Sequence, residues 1–150
     1  MTVRFLVEVI RLAITKLMHM KEAPAVPHRH LANAIKYILD EKNDENKTEH
    51  GLYVGGNSGF DSDDVLKTFL DTKELYGKMS GRQGYHFVIS FAPGETDANE
   101  AYQMTREFTE KYLGDNYDYV FAVHTDKGHV HSHIIFNSVS RTDGYKYRYV

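Results

Sequence analysis

The chain has 150 residues, a length typical of one domain with its own hydrophobic core. It contains no cysteine, which excludes a disulfide framework and thiolate metal ligands. Its formal net charge of −3 gives no overall attraction to nucleic acid, so any such binding must come from a local patch of positive charge.

The first residues, MTVRFLVEVIRLAITK, are largely apolar but include Arg4, Glu8 and Arg11. This stretch is too short and too charged for a membrane span, and it lacks a signal-peptide cleavage pattern. We therefore expect residues 1–12 to be an extension outside the core, and we expect a cytoplasmic protein with no membrane association.

Apolar periodicity, interrupted by glycine and proline, predicts alternating strands and helices. In chain order the predicted elements are a strand over 13–20, a helix over 28–40, a charged loop over 40–48, a brief strand around 52–54, a helix over 62–78, a strand over 85–92, a helix ending at 113, and strands over 117–125 and 130–139. This order predicts an α+β fold, with a mostly antiparallel central sheet of about five strands and helices packed mainly on one face.

The last two predicted strands form a hairpin that carries three histidines in the run AVHTDKGHVHSHIIFN. If Lys127 and Gly128 form the turn, His124 pairs with His131, and His133 lies diagonally from His124 on the same face. Opposed Cβ atoms lie about 5 Å apart and diagonal ones about 7–8 Å, which three imidazoles can close around one ion. The pattern predicts a site for a divalent cation on this face, and the more aromatic face is the expected core.

Tyr37 lies away from the apolar stripe of the first predicted helix. Helical geometry separates it by roughly 140° from the centre of the stripe formed by Leu31, Ile35 and Ile38. From this geometry alone, an ordinary surface tyrosine is the better interpretation. A tyrosine hydroxyl is also a suitable nucleophile for metal-assisted phosphoryl transfer, and no serine lies in a nucleophile elbow.

Three segments resemble the N-terminal nicking domain of conjugative relaxases of the P-type mobilisation class, which are HUH endonucleases. They are NAIKYILDEK around Tyr37, YHFVISFAPGE over 85–95, and AVHTDKGHVHSHIIFN over 122–137; with their intervals they span about two thirds of the chain. The resemblance implies a ferredoxin-like two-layer sandwich. It also implies that residues 1–150 are a single relaxase nuclease domain that is truncated at its C-terminus.

The resemblance implies a site- and strand-specific nickase that acts on single-stranded DNA at a conjugative transfer origin. Tyr37 takes the position of the nucleophile, which forms a 5′-phosphotyrosyl link and leaves a free 3′-hydroxyl. His124, His131 and His133 take the positions of the metal ligands. The implied cofactor is one divalent cation, Mg or Mn in function, and Zn or Ni can also occupy such a site.

Other site residues follow from the same motifs. Ser90 matches a serine linked to catalysis or DNA positioning. Asp126 is a candidate for orienting a ligand imidazole, although an ordinary turn aspartate explains it equally well. Asn137 falls at a motif position near the ligands, and His86 shares a strand face with Ser90, so we expect both to line the site.

The ending YKYRY combines cationic and aromatic side chains, as single-stranded DNA requires. Tyr145, Lys146, Tyr147 and Arg148 are therefore predicted DNA contacts, although an edge strand with alternating exposure fits the pattern equally well. The expected partners are the DNA strand at the transfer origin and accessory relaxosome proteins, and we expect a monomer.

Two alternatives stay open from the sequence. A related replication initiator or transposase would carry its tyrosine after the histidines, with Tyr145, Tyr147 and Tyr149 as candidates. A non-catalytic nucleic-acid-binding domain would use the histidines for a structural metal, which normally has four protein ligands. A fourth ligand beside the three histidines would favour the second alternative.

Overall fold

The protein, seen in a computed structural model, is described here for residues 14–39, 53–125 and 129–148. The elements are β1 (Ile14–Met20), α1 (Arg29–Leu39), β2 (Val54–Gly56), α2 (Ser62–Leu75), β3 (Gly84–Ser90), α3 (Ala98–Tyr112), β4 (Tyr117–His124) and β5 (His131–Ser140). The predicted extension over 1–12 and the charged loop over 40–48 lie outside the described residues. Where the two can be compared, the predicted elements agree with the observed ones to within a few residues.

The five strands form one sheet in the order β1-β3-β5-β4-β2, and every neighbouring pair is antiparallel. The predicted α+β class is thereby confirmed. Strand β5 lies at the centre, between β3 and β4, so side chains from three strands meet on each of its faces. The register pairs His131 with both His124 and Ser90, which confirms the predicted alignment of the histidine hairpin.

Helices cover both faces of the sheet. Helices α1 and α2 pack on the face that carries the histidines, where buried Leu31 and Phe69 join a cluster with Ile135. Helix α3 packs on the opposite face, where Met104 joins a cluster with Phe121. The aromatic face is buried under α3, as expected for a core, and the middle of the histidine face is apolar and is also buried.

The histidine face is apolar in its centre and polar at its two ends. Val120, Ala122 and Ile135 occupy the centre and are fully buried. The histidines lie at one end, and a buried network around Lys73 lies at the other. Two separate polar centres therefore share one face, and the apolar cluster under α1 and α2 separates them.

The network at the second end joins α2 to β4, to β5 and to the residue before β3. The Lys73 ammonium, fully buried, donates to the Gln83 carbonyl oxygen at 2.6 Å, to Asn137 Oδ1 at 2.6 Å and to Ser138 Oγ at 3.0 Å. The Asn137 amide donates in turn to Asp118 Oδ2 at 3.0 Å. These hydrogen bonds stabilise the packing of α2 on the sheet.

Two helix termini follow the local sequence. Asp97 caps α3 by accepting from the Glu100 N–H at 2.8 Å, and Gly114, with φ of 48°, follows the helix. Among the helices of the described residues, none has both the length and the apolar character needed to cross a membrane.

Candidate active site

The rings of His124, His131 and His133 lie together at one end of the sheet. Ring centroids are 4.3 Å apart for His124 and His133, and 6.2 Å apart for His131 and His133. Rings that share an ion through nitrogens about 2 Å from it have centroids about 5 Å apart. The observed separations bracket this value, but as the side chains stand in the described residues, no group of three or more His, Cys, Asp or Glu is arranged so that it could hold a metal ion.

Each of these three rings has one nitrogen held by a neighbouring group. His133 Nδ1 lies 3.0 Å from His86 Nε2, and His131 Nδ1 lies 3.3 Å from Ser90 Oγ. His124 Nε2 lies 2.7 Å from the Ile38 carbonyl oxygen and must donate to it, since a carbonyl only accepts.

Of these contacts, the one to the Ile38 carbonyl fixes which ring nitrogen carries the proton. A neutral imidazole ligand carries its proton on the nitrogen that faces away from the ion. His124 would therefore bind a metal through Nδ1, and His131 and His133 would bind through Nε2 in the tautomers that carry the proton on Nδ1. Three oriented neutral imidazoles are a donor set that fits a divalent cation of the Mn, Ni or Zn type.

His86 is buried on β3 beside His133. Burial, and to a smaller extent the charge of His124, lowers the pKa of His86 to about 4, so its ring is neutral near pH 7. A neutral His86 shares a hydrogen bond with His133 Nδ1 through its own Nε2, and either ring can be the donor. This contact fixes the orientation of the His133 ring.

Tyr37 lies over the histidines. Its ring is half exposed, and its centroid is 6.1 Å from that of His124 and 6.2 Å from that of His133, with both contacts edge-on. Helix α1 places Tyr37 there because Ile35 and Ile38 are buried against the sheet. The side of the helix that carries Tyr37 then faces the end of the sheet where the histidines lie. The Ile38 carbonyl that accepts from His124 belongs to the last turn of the same helix, so one hydrogen bond links the tyrosine helix to a candidate ligand.

The structure brings six of the predicted site residues together and separates the others. The group at the histidine end consists of Tyr37, His86, Ser90, His124, His131 and His133. Asp126 lies outside the described residues. Asn137 is fully buried in the Lys73 network, four residues along β5 from His133 or about 13 Å away by strand rise, and it does not line the histidine cluster.

The predicted DNA contacts lie at the end of the sheet away from the histidines. Tyr145, Lys146 and Arg148 line an open cleft there. Tyr147 behaves differently, because its ring packs edge-on against Tyr85 and Phe136 with centroids 4.8 and 5.0 Å away.

Sequence reasoning missed two contributors to the site. The first is the Ile38 carbonyl, which no sequence pattern reveals. The second is His129, whose half-buried ring lies 4.3 Å from that of His131. The signal for His129 was present, since residues 129, 131 and 133 alternate at the two-residue period of a strand.

Comparisons with known proteins show the family of the chain. A family model described as the nuclease domain of MobA/VirD2-like relaxases matches residues 37–149, which include Tyr37 and all the histidines of the cluster. The Protein rlx of Staphylococcus aureus is 36% identical over 137 residues, which cover 91% of this chain and 38% of that protein.

More distant relatives include the group II intron-interrupted relaxase LtrB of Lactococcus lactis and the T-DNA border endonuclease VirD2 of Rhizobium radiobacter. LtrB is 24% identical over 87% of this chain and 29% of its own length. VirD2 is 39% identical over 57 residues, which cover 35% of this chain and 13% of its own length. The chain thus spans well under half of each relative. Since the family model matches most of the chain, from the tyrosine on α1 through the histidine hairpin, the chain belongs to the relaxase family and carries its MobA/VirD2-like nuclease domain.

Proposed function

We propose that this chain nicks single-stranded DNA at a transfer origin through a 5′-phosphotyrosyl intermediate on Tyr37, with the help of one divalent cation held by His124, His131 and His133. The observation that supports this most directly is the position of the Tyr37 ring, about 6 Å from the rings of His124 and His133. A nucleophile and a metal-ligand set that lie side by side are what metal-assisted phosphoryl transfer requires.

In the proposed reaction the phenol oxygen of Tyr37 attacks the phosphorus of one phosphodiester. The bond from phosphorus to the 3′ oxygen breaks, and the DNA downstream of the nick becomes attached to the protein through its 5′ phosphate. The phenol releases its proton and the departing oxygen takes one up, so a 3′-hydroxyl is left. The chemistry supplied by a bound cation, Mg or Mn in the cell, is polarisation of the phosphate and stabilisation of the negative charge that develops on its oxygens.

The other residues act by orientation. His86 and Ser90 hold the Nδ1 atoms of His133 and His131, and the Ile38 carbonyl holds Nε2 of His124. Ligand rings that are already oriented lose less freedom when they bind an ion, so the contacts support affinity as well as geometry. Asp126 is proposed as a further orienting group.

A capture experiment tests the proposal without knowledge of the cognate sequence. The chain is incubated with Mn²⁺ and a single-stranded library with random sequence, and covalent complexes are separated on a denaturing gel. Strands labelled at the 3′ end should be captured and strands labelled at the 5′ end should not, because the protein joins the 5′ end of the downstream fragment. The captured strands then identify the preferred sequence.

Two variants and one control complete this experiment. Tyr37→Phe removes the nucleophilic oxygen and should abolish capture while leaving metal binding intact. His131→Ala should lose both metal binding and capture. Tyr112→Phe removes the hydroxyl of another half-exposed tyrosine, on α3 at the opposite face, and should behave as the wild type. Capture by the Tyr37→Phe variant would refute the proposal.

His129 gives the structural-metal alternative a specific basis, because its ring lies 4.3 Å from that of His131 and could supply a fourth ligand. Structural zinc sites are closed by four protein ligands, whereas catalytic ones keep a position open. If the metal is structural, His129→Ala should lower zinc affinity and thermal stability together. If it is catalytic, His129→Ala should retain metal binding and capture.

The initiator or transposase alternative has less support. Tyr145 and Tyr147 follow β5, whereas the histidines precede or begin it, so about 20 Å of strand separates the two groups. Tyr37 is in ring contact with two of the histidines. Capture that survives in Tyr37→Phe but is lost in Tyr145→Phe would favour this alternative.

A further inference from the structure

A basic cleft lies at the end of the sheet away from the histidines. It is an open cavity of about 700 Å³ lined by Lys78, Tyr145, Lys146 and Arg148, which we call the lysine cleft. Lys78 comes from the loop after α2, and the other three residues come from the segment after β5. The sequence pattern indicated only the second segment, so the cleft exists because the fold joins two distant stretches of chain.

The segment after β5 is held in a fixed position. The Ser140 N–H donates to the Tyr145 carbonyl at 2.9 Å, and the Tyr147 N–H donates to the Ser138 carbonyl at 2.8 Å. Lys146 pairs with Val139 in an isolated antiparallel bridge. Val139 lies two residues past Asn137, which pairs with the first residue of β3. The two lysines brace the cleft reciprocally, because Lys78 donates to the Gly144 carbonyl and Lys146 donates to the Ser80 carbonyl.

Bracing brings positive charges close together. Burial and, second, the charge of Lys78 lower the pKa of Lys146, while Glu22 raises it. The Glu22 carboxylate is engaged by the Gly81 N–H at 2.6 Å, and Asp143 accepts from the Tyr145 N–H at 3.0 Å. Three cationic side chains therefore line a cleft whose nearby carboxylates already accept backbone hydrogen bonds, and a bound anion would relieve the repulsion between the lysines.

An exposed aromatic ring completes the cleft. The Tyr145 side chain is 72% exposed, and the Lys78 ammonium lies 5.5 Å from its ring centroid. An exposed ring beside cations suits an unstacked base and its phosphate, which is how single strands are bound without sequence preference. The ring of Tyr147 is instead part of the core.

The cleft and the histidine cluster lie at opposite ends of the sheet. Lys146 pairs with Val139 in an isolated bridge, and Val139 lies six residues along β5 from His133. At a rise of about 3.3 Å per residue this is at most about 20 Å along the strand, which is irregular between Phe136 and Ser140. Because α1 and α2 cover the sheet between the two places, a DNA strand that reaches both must pass over the helices or around the edge of the sheet.

We propose that Lys78, Tyr145, Lys146 and Arg148 form a second binding site for single-stranded DNA, which holds the strand at the end of the sheet away from the histidines. This inference rests on the proposed nickase function for its biological role. The site contributes affinity and takes no part in the chemical step.

The test is binding of fluorescent oligothymidylates to the 150-residue chain, measured by anisotropy between 50 and 200 mM salt. The double variant Lys78→Gln/Arg148→Gln should lower the slope of log affinity against log salt by about 1.4, since each phosphate contact on a single strand contributes about 0.7. Tyr145→Ala should weaken binding about fivefold or more, the usual effect of losing one base–aromatic stack.

The chain offers a matched control on another surface. Lys111 lies 5.5 Å over the half-exposed ring of Tyr112 at the end of α3, the same pair of groups in the same geometry. Lys111→Gln and Tyr112→Ala should leave affinity and salt slope close to those of the wild type. If the cleft variants change binding no more than these controls do, the second site is refuted.

A length series tests the separation of the two sites. Affinity should rise steeply once an oligothymidylate is long enough to reach both, and this rise should be absent in Lys78→Gln/Arg148→Gln. A rise of equal size in the variant would refute a second site on the same strand. If duplex DNA binds as well as the single strand and Tyr145→Ala has no effect, the single-strand assignment is wrong. These measurements do not depend on nicking, so a failed capture experiment would refute the nickase alone.

Discussion

Replacing Lys73 should change how the stability of the protein depends on pH. The Lys73 ammonium is fully buried beneath α2 and donates to three oxygens, from Gln83, Asn137 and Ser138. Burial is the main cause that lowers the pKa of Lys73 to about 7, the charge of Lys146 lowers it further, and Asp118 raises it. In the unfolded chain the same lysine titrates near 10.5.

The direction of the pH dependence follows from the number of protons that the folded and unfolded states bind. Between about pH 7 and pH 10.5 the unfolded chain holds the lysine proton more tightly than the folded protein does, so the contribution of Lys73 to the free energy of unfolding rises with pH in this window. The full shift corresponds to about 5 kcal/mol, of which about 3.5 kcal/mol falls between pH 7 and pH 10. This is an upper value, because the three acceptors favour the ammonium form.

Urea unfolding at pH 7, 8, 9 and 10 measures this effect. The wild type should gain up to about 3.5 kcal/mol over the series, whereas Lys73→Met should lose this component of the rise. Lys67→Met is a suitable control, because Lys67 is an exposed lysine on the same helix. An identical rise in the wild type and in Lys73→Met would refute the assignment of the depressed pKa to Lys73.

Three further predictions concern the histidine end of the sheet. His86→Phe should reduce Mn²⁺ or Zn²⁺ affinity about 10- to 100-fold in isothermal titration, because the 3.0 Å contact that orients His133 is lost. Ser90→Ala should reduce it less, since its contact to His131 is longer at 3.3 Å; a larger loss than in His86→Phe would contradict this ranking. Ser132→Val removes one of the two partners of the buried Thr105 hydroxyl, which keeps its 2.7 Å contact to the Ala101 carbonyl, and should lower the free energy of unfolding by about 0.5–1.5 kcal/mol in urea. Metal affinity should stay unchanged because Ser132 faces away from the cluster.

Local rules explain how much of the histidine hairpin could be predicted. The two-residue period of a strand places His131 and His133 on one face, and a short turn sets the pairing of His124 with His131. The pairing is observed as predicted. The helical period likewise separates Tyr37 from the buried stripe of α1. These features depend on neighbours in the chain, so they can be predicted without knowledge of the tertiary structure.

Asn137 and Tyr147 show where local rules fail. Asn137 has the right period to share a face with His133, but α2 packs over its end of the sheet and Lys73 engages it there. Tyr147 follows the same alternation as Tyr145, yet its ring packs against Tyr85 and Phe136 and is part of the core. In both cases the period was right, and the environment at that point of the sheet decided the role.

The amino-acid sequence by itself determined the strands, the helices, the common face of the histidines and the outward side of Tyr37, because these arise from periodicity and turn chemistry within short segments. Only the tertiary structure decided that α1 ends above the histidines, that the Ile38 carbonyl holds His124, and that Lys78 joins Lys146 in one cleft. The hydrogen bonds that make these contacts join residues 66 to 86 positions apart in the sequence. Residues so far apart come into contact only because apolar packing of the helices on the sheet brings their segments together.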